Sequence, residues 1–293
     1  MRGSHAYLTG SGGLRLHYRC WDVAAPRAVI LVAHGLGEHS GRYEQLANDF
    51  ARAGMSTYAL DHRGHGRSDG QRGHVRRFVR YVQDLEKFRR RVVGSVGPEV
   101  PLLFLGHSLG GLILIRYLEE FPGVPARGAI LSAPLLAPAV AAPRWKEQLA
   151  RILSYTAPAL PMSTGLPPEH LSHDEQVVEA YRRDHLVHDR ITPRAYGEML
   201  REIDTAFSET QRIRTPLLVL VPSNDKLVRP DAMQRFVASL DDADSVQMET
   251  YPGLYHEVLN ETTRSRVVVD VLGWTERRIA IQAAPLDRVE PPA

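Results

Sequence analysis

The chain has 293 residues, 43% of them apolar and 24% charged, which excludes wholesale disorder and leaves enough length to bury a core without disulfides. Thirty-six basic residues against 34 acidic ones give a net charge of +2, too balanced for a general nucleic-acid binder. The single cysteine, Cys20, excludes an internal disulfide and a cysteine-ligated zinc or iron–sulfur centre within one chain.

No run reaches the roughly 20 apolar residues that span a bilayer. The opening Met1-Arg2-Gly3-Ser4-His5 lacks the apolar segment of a secretory signal. These features predict a soluble cytoplasmic protein, with an extracellular mature form or a peripheral position at a membrane as the other readings. The same five residues resemble the start of an expression tag and are given no weight in the fold.

In chain order, Leu14–Trp21 alternates and predicts a half-exposed edge strand. Ala28–Ala33 is a continuous apolar run with β-branched residues, the pattern of a strand covered on both faces. Ser56–Leu60, Leu102–Leu105, Ala129–Leu131 and Leu217–Val221 repeat it, and Ser245–Tyr251 is a further strand candidate. Between them, Tyr43–Ala53, Phe78–Val93, Leu109–Phe121 and Asp231–Leu240 carry helical spacing, as does Arg264–Ile281 near the end. This alternation predicts an α/β fold with a mostly parallel sheet and right-handed crossovers. It breaks over 138–205, where prolines recur and Trp145, Leu149, Ile152 and Leu153 form one helical face. We read a core at 1–137 and 206–281, a mostly helical insertion at 138–205, and a proline-rich tail at 282–293.

Leu102 to Gly111 reads as buried strand, tight turn and helix start, with Gly106-x-Ser108-x-Gly110 at the turn. That is the nucleophile-elbow pattern, in which small residues let strand and helix crowd together and lift the serine hydroxyl clear of the sheet. The bare pattern is weak; the strand before and helix after strengthen it over a glycine turn with an idle serine. Serine needs a base, and on this architecture acid and histidine follow it in that order, each just past a later strand. Asp225 lies past Leu217–Val221 and His256 past Ser245–Tyr251. Asp231 and Asp204 are the alternatives for the acid. His62, His65, His74, His170, His173, His185 and His188 lack the strand-end context. Donors for an oxyanion fall on the backbone N–H of Leu109, at the helix start, and of Leu36, in the glycine loop after Ala28–Ala33. His62 and His65 have no carboxylate cluster to complete a metal site. Neither cofactor nor metal is expected. Arg72, Arg76, Arg77, Arg80 and Arg89–Arg91 read as a solvated helix face, with attraction to anionic membranes as the second reading.

The stretch His34-Gly35-Leu36-Gly37-Glu38-His39-Ser40-Gly41-Arg42-Tyr43 is long and specific. With Asp61-His62-Arg63-Gly64-His65-Gly66-Arg67-Ser68-Asp69-Gly70, the Gly106–Gly111 elbow and Ser223–Val228, it resembles the α/β-hydrolase superfamily, and within it the monoacylglycerol lipase and lysophospholipase group. The similarity runs from about Leu14 to Ile281, with Leu171-Ser172 and Tyr181-x-x-Asp184 as looser matches. It implies the α/β-hydrolase fold, a helical cap over the site, and a Ser108–Asp225–His256 triad. The implied activity is hydrolysis of single-chain lipid esters, foremost monoacylglycerol to glycerol and fatty acid. A lysophospholipase or small-ester carboxylesterase, an N-terminal peptidase, or a non-catalytic binding protein on the same scaffold are the alternatives. The implied partner is a small lipid ester, with transient membrane-surface contact through the cap and no nucleic acid.

Overall fold

The structure, a computed structural model, describes residues 3–139 and 144–281; the side chains of 144–147 and 243 are outside that description, Trp145 among them, and so is the predicted tail. Eight strands form one sheet: β1 (Ser4–Thr9), β2 (Arg15–Trp21), β3 (Ala28–Ala33), β4 (Met55–Leu60), β5 (Leu102–His107), β6 (Gly128–Ser132), β9 (Leu217–Pro222) and β10 (Val246–Tyr251). Their order is β1-β2-β4-β3-β5-β6-β9-β10. From β4 to β10 all pairings are parallel, and β1 and β2 are antiparallel.

The apolar runs make this sheet because successive side chains point to opposite faces and both faces are covered. Val29, Leu31, Phe104, Leu131 and Val219 pack under α2 (Val79–Val96), α3 (Leu109–Glu120) and α7 (Pro230–Ala238). Ile30, Val32, Leu105, Ile130 and Leu218 pack under α1 (Glu44–Arg52) and α8 (Arg264–Ala280).

Two expectations fail at one edge. Ser4 and His5, given no weight as tag-like, begin β1, with Ser4 opposite Cys20 and Thr9 opposite Arg15. Consequently β2 is not the edge strand, and its nominally outward His17 is buried, its Nδ1–H satisfied by Asp61 Oδ2 at 2.8 Å. Burial opposes ionisation of Asp61, yet bonds from His17, Ser40 and Arg67 hold it well below the carboxylate range.

Between β6 and β9 the chain leaves the sheet through α4 (Arg144–Thr156), β7 (Met162–Ser163), α5 (Glu175–Arg183), β8 (Arg190–Ile191) and α6 (Pro193–Ser208). The β7–β8 pair was not expected; two-residue strands carry no periodicity to read. Thr192 and Pro193 start α6 as N-cap and first-turn proline. Its Met199, Ile203 and Ala206 join the core.

Where α6 meets α3, Arg116 contacts three carboxylates, Glu119, Glu202 and Glu209. Glu119 is fully buried, and among the described residues its Oε1 has no hydrogen-bond partner. Burial, only partly opposed by Arg116, pushes its pKa up from 4.5 to about 8. The raised value means that the stability Glu119 contributes is present below pH 4.5 and lost as pH rises through about 8. Glu119→Gln is expected to flatten this decline, which amounts to at most about 1.4 kcal/mol per pH unit. Urea midpoints of both proteins between pH 5 and 9 check it; parallel curves would contradict it.

Candidate active site

The elbow is built by close approach. A Cβ on Gly110 would lie 2.0 Å from the Ala33 carbonyl oxygen of β3, and one on Gly106 2.6 Å from the Gly110 oxygen. Ser108, between them, holds φ 51° and ψ −117°, a conformation costly for a residue with a Cβ. Its backbone is pinned on both sides. Its N–H donates to Ser132 O at 3.0 Å, and its C=O accepts from Leu112 at 3.1 Å and Leu135 at 3.0 Å. Ser108 therefore sits at the N-cap of α3, just past the carboxyl end of β5.

Asp225 and His256 follow β9 and β10, and parallel pairing brings all three residues to the same rim. The Nδ1–H of His256 donates to Asp225 Oδ2 at 2.7 Å, leaving Nε2 with its lone pair. Asp225 Oδ1 accepts from the N–H groups of Leu227, 2.8 Å, and Val228, 3.0 Å. Burial opposes ionisation of Asp225, but His256 and these N–H groups hold its pKa low. Burial likewise opposes the His256 imidazolium, and the charge and hydrogen bond of Asp225 outweigh it, raising its pKa above 6.5. The His107 ring, adjacent to Ser108, lies 4.8 Å from the His256 ring. Burial and then the charge of His256 push His107 downward, so it stays neutral.

The third loop follows β3. His34 Nε2 accepts the N–H of His62 at 2.9 Å, so its Nδ1 carries the proton and donates to Gly35 O at 2.7 Å. Burial pushes His34 down to about 4, which preserves that tautomer. Across a trans peptide the N–H points opposite to the C=O, so this bond turns the Leu36 N–H away from His34. A Cβ on Gly35 would lie 3.3 Å from the Ser108 Cβ, which puts the loop beside the hydroxyl. Among the described residues neither the Leu36 nor the Leu109 N–H has a partner within the chain.

The competing residues lie elsewhere. Asp231 pairs with Arg229 and Arg235 on the solvent side of α7, and Asp204 is exposed on α6. His173 stacks on Tyr255 at 3.7 Å and bonds Glu261. His188 donates to Gly64 O, packing the excursion on the loop after β4. His62 and His65 each use one ring nitrogen on a backbone carbonyl, of His34 and of Arg63. Arg76, Arg77, Arg80, Arg90 and Arg91 are exposed, the solvated face expected of them.

Sequence reasoning assigned no role to His34, Glu38, Arg42 or Glu257, which are all buried here or nearly so. The signal was the charged pattern Glu38-x-x-x-Arg42 inside an otherwise glycine-rich loop, spacing that invites an ion pair.

Residues 24–263 match the Hydrolase_4 family, described as serine aminopeptidase, S33. A monoacylglycerol lipase of Mycolicibacterium smegmatis is 36% identical over 278 residues, 93% of this chain and 96% of that protein. A phospholipase of Bacillus subtilis is 29% identical over 260 residues, 88% of this chain and 99% of that protein. The crystal structure of the Paleococcus ferrophilus monoacylglycerol lipase superposes with a TM-score of 0.78 at 31% identity, covering 95% of this chain and 100% of that one. Matched over most of its length in sequence and in fold, the chain belongs to the serine aminopeptidase S33 family of α/β-hydrolases.

Proposed function

We propose that the protein hydrolyses carboxylic esters of single-chain lipids, monoacylglycerols foremost, through an acyl-enzyme on Ser108. The observation that carries this is the buried Asp225–His256 hydrogen bond at 2.7 Å on the rim that also bears the strained Ser108. Ser108 Oγ attacks the ester carbonyl as His256 Nε2 takes its proton, and Asp225 holds the tautomer and stabilises the imidazolium. The Leu36 and Leu109 N–H groups donate to the oxyanion, aided by the start of α3. The imidazolium then protonates the departing glycerol oxygen. Water, deprotonated by His256, attacks the acyl-enzyme and releases the fatty acid. The monoacylglycerol lipase relatives favour this substrate; the Bacillus subtilis phospholipase favours a lysophospholipid as the second reading.

The test is a steady-state profile over monoacylglycerols of increasing acyl length, matched lysophosphatidylcholines and aminoacyl amides, with fluorophosphonate labelling of Ser108. Preference for the glycerol esters is expected. Turnover of aminoacyl amides alone would overturn the lipid assignment.

The segment 138–205 is read as a cap that docks transiently on lipid. No helix among the described residues is long and apolar enough to cross a membrane, but α4 exposes Leu149, Ile152 and Tyr155, the last at 71%. Leu149 and Ile152 are already about half buried, so lipid contact would gain about 1 kcal/mol from each. Leu149→Ser with Ile152→Ser is therefore expected to cut partitioning onto phosphatidylcholine vesicles at least tenfold. Turnover of a water-soluble short ester should change little. Unaltered cosedimentation with vesicles would remove α4 from the docking surface.

A further inference from the structure

The loop after β3 and the turn after β10 lie 215 residues apart at Arg42 and Glu257, yet one side chain ties them. Arg42 Nη1 donates to Glu38 Oε2 at 2.9 Å and to Glu257 Oε1 at 2.6 Å, and Nη2 donates to Glu257 Oε2 at 2.8 Å. The Tyr181 ring of the excursion lies 4.8 Å from its Cζ. Each partner leads into the site. Glu38 Oε1 accepts the Gly35 N–H at 2.6 Å and the Tyr43 hydroxyl at 2.9 Å. The Gly35 N–H is thus held by Glu38 and the Gly35 C=O by His34, which fixes the peptide that carries the Leu36 N–H. Glu257 adjoins His256, and its own N–H donates to Leu171 O at 2.8 Å.

The charges do not cancel: two buried carboxylates share one guanidinium. Buried ion pairs add little to stability against apolar packing, and an unbalanced one costs more. The excess negative charge lies where a positive one develops. Around His256 the titratable neighbours are Asp225, Glu257, Glu38 and the neutral His107. After burial, which acts downward, and Asp225, the charges of Glu257 and Glu38 favour the protonated ring.

We propose that Arg42 is a positioning residue that holds Glu38 and Glu257 on one guanidinium over Tyr181, setting the Leu36 N–H and the His256 imidazole in a single register. The carboxylate charge left over stabilises the imidazolium formed when Ser108 is deprotonated. This rests on the reading of Ser108, His256 and Leu36 given above.

The test compares Arg42→Met, Arg42→Lys and Glu257→Gln by kcat and KM on a short-chain p-nitrophenyl ester across pH, alongside fluorophosphonate labelling and thermal midpoints. Arg42→Met is expected to lower kcat about 100-fold with KM within about threefold, the cost of slight misplacement of reacting groups. Arg42→Lys should recover part of this, since the charge returns without the planar fork. Glu257→Gln should move the acid limb of kcat/KM down by about half a pH unit or more. Near-native kcat in Arg42→Met with an unmoved limb in Glu257→Gln overturns the proposal while labelled Ser108 and inactive His256→Ala leave the parent reading intact. Active wild type with unlabelled Ser108, or active His256→Ala, overturns both. If Arg42→Met does not fold, the Glu257→Gln limb alone decides, shifted in support and unshifted against.

Discussion

Ser108→Ala is expected to lower ester turnover by about 10⁵-fold or more, because removing the nucleophile forfeits the whole acyl-enzyme route and not one contact within it. The fold should survive. Its backbone bonds to Ser132, Leu112 and Leu135 need no hydroxyl. Ser108→Gly makes a sharper comparison: at φ 51° glycine avoids the Cβ penalty, so this variant should be as inactive as alanine yet more stable, by about 1 kcal/mol. Steady-state rates and urea midpoints of the pair check both halves. Residual turnover above about 1% in either variant would move the nucleophile elsewhere.

Asp225→Asn should cost about 10⁴-fold in kcat at neutral pH with little change in KM. Asparagine can present an N–H to His256 Nδ1, which selects the tautomer whose Nε2 already carries a proton. It also removes the charge that raises His256. In the wild type, activity should fall as pH drops through a limb above 6.5, because the base must be unprotonated. In Asp225→Asn the limb should lie lower. The linkage runs the other way for folding. A raised histidine contributes stability that is present below 6.5 and lost as pH rises through the raised value. His256 therefore stabilises the chain least in the range where it can act as base. A limb at the same pH in both proteins would mean that the titration belongs to another group.

Much of this site is local in sequence. Gly106 and Gly110 flank Ser108 because strand and helix touch there, and the apolar run before them and the helical spacing after them are both short-range signals. Asp225 and His256 are legible for a similar reason: one follows the buried strand β9 and the other the edge strand β10, and parallel strands deliver their carboxyl ends to one rim. What escaped was long-range. Strand β1 goes unread, its first two residues taken as part of a tag, because its alternation is faint and its partner lies about ten residues on; only pairing with β2 makes it a strand. His17 looks outward until Asp61, 44 residues away, accepts its proton.

The order of runs, turns and chemistry along the chain is thus enough to determine the layered α/β architecture and to nominate nucleophile, acid and base, since these depend on periodicity and on neighbours within a few residues. Tertiary structure alone decided which charges meet. Arg42 could have answered any of 34 acidic residues; it takes Glu38 and Glu257 because the sheet brings the ends of β3 and β10 to one rim and the excursion closes over them. Coulomb attraction has no sequence period, so its partners are chosen only when the backbone has fixed the distances.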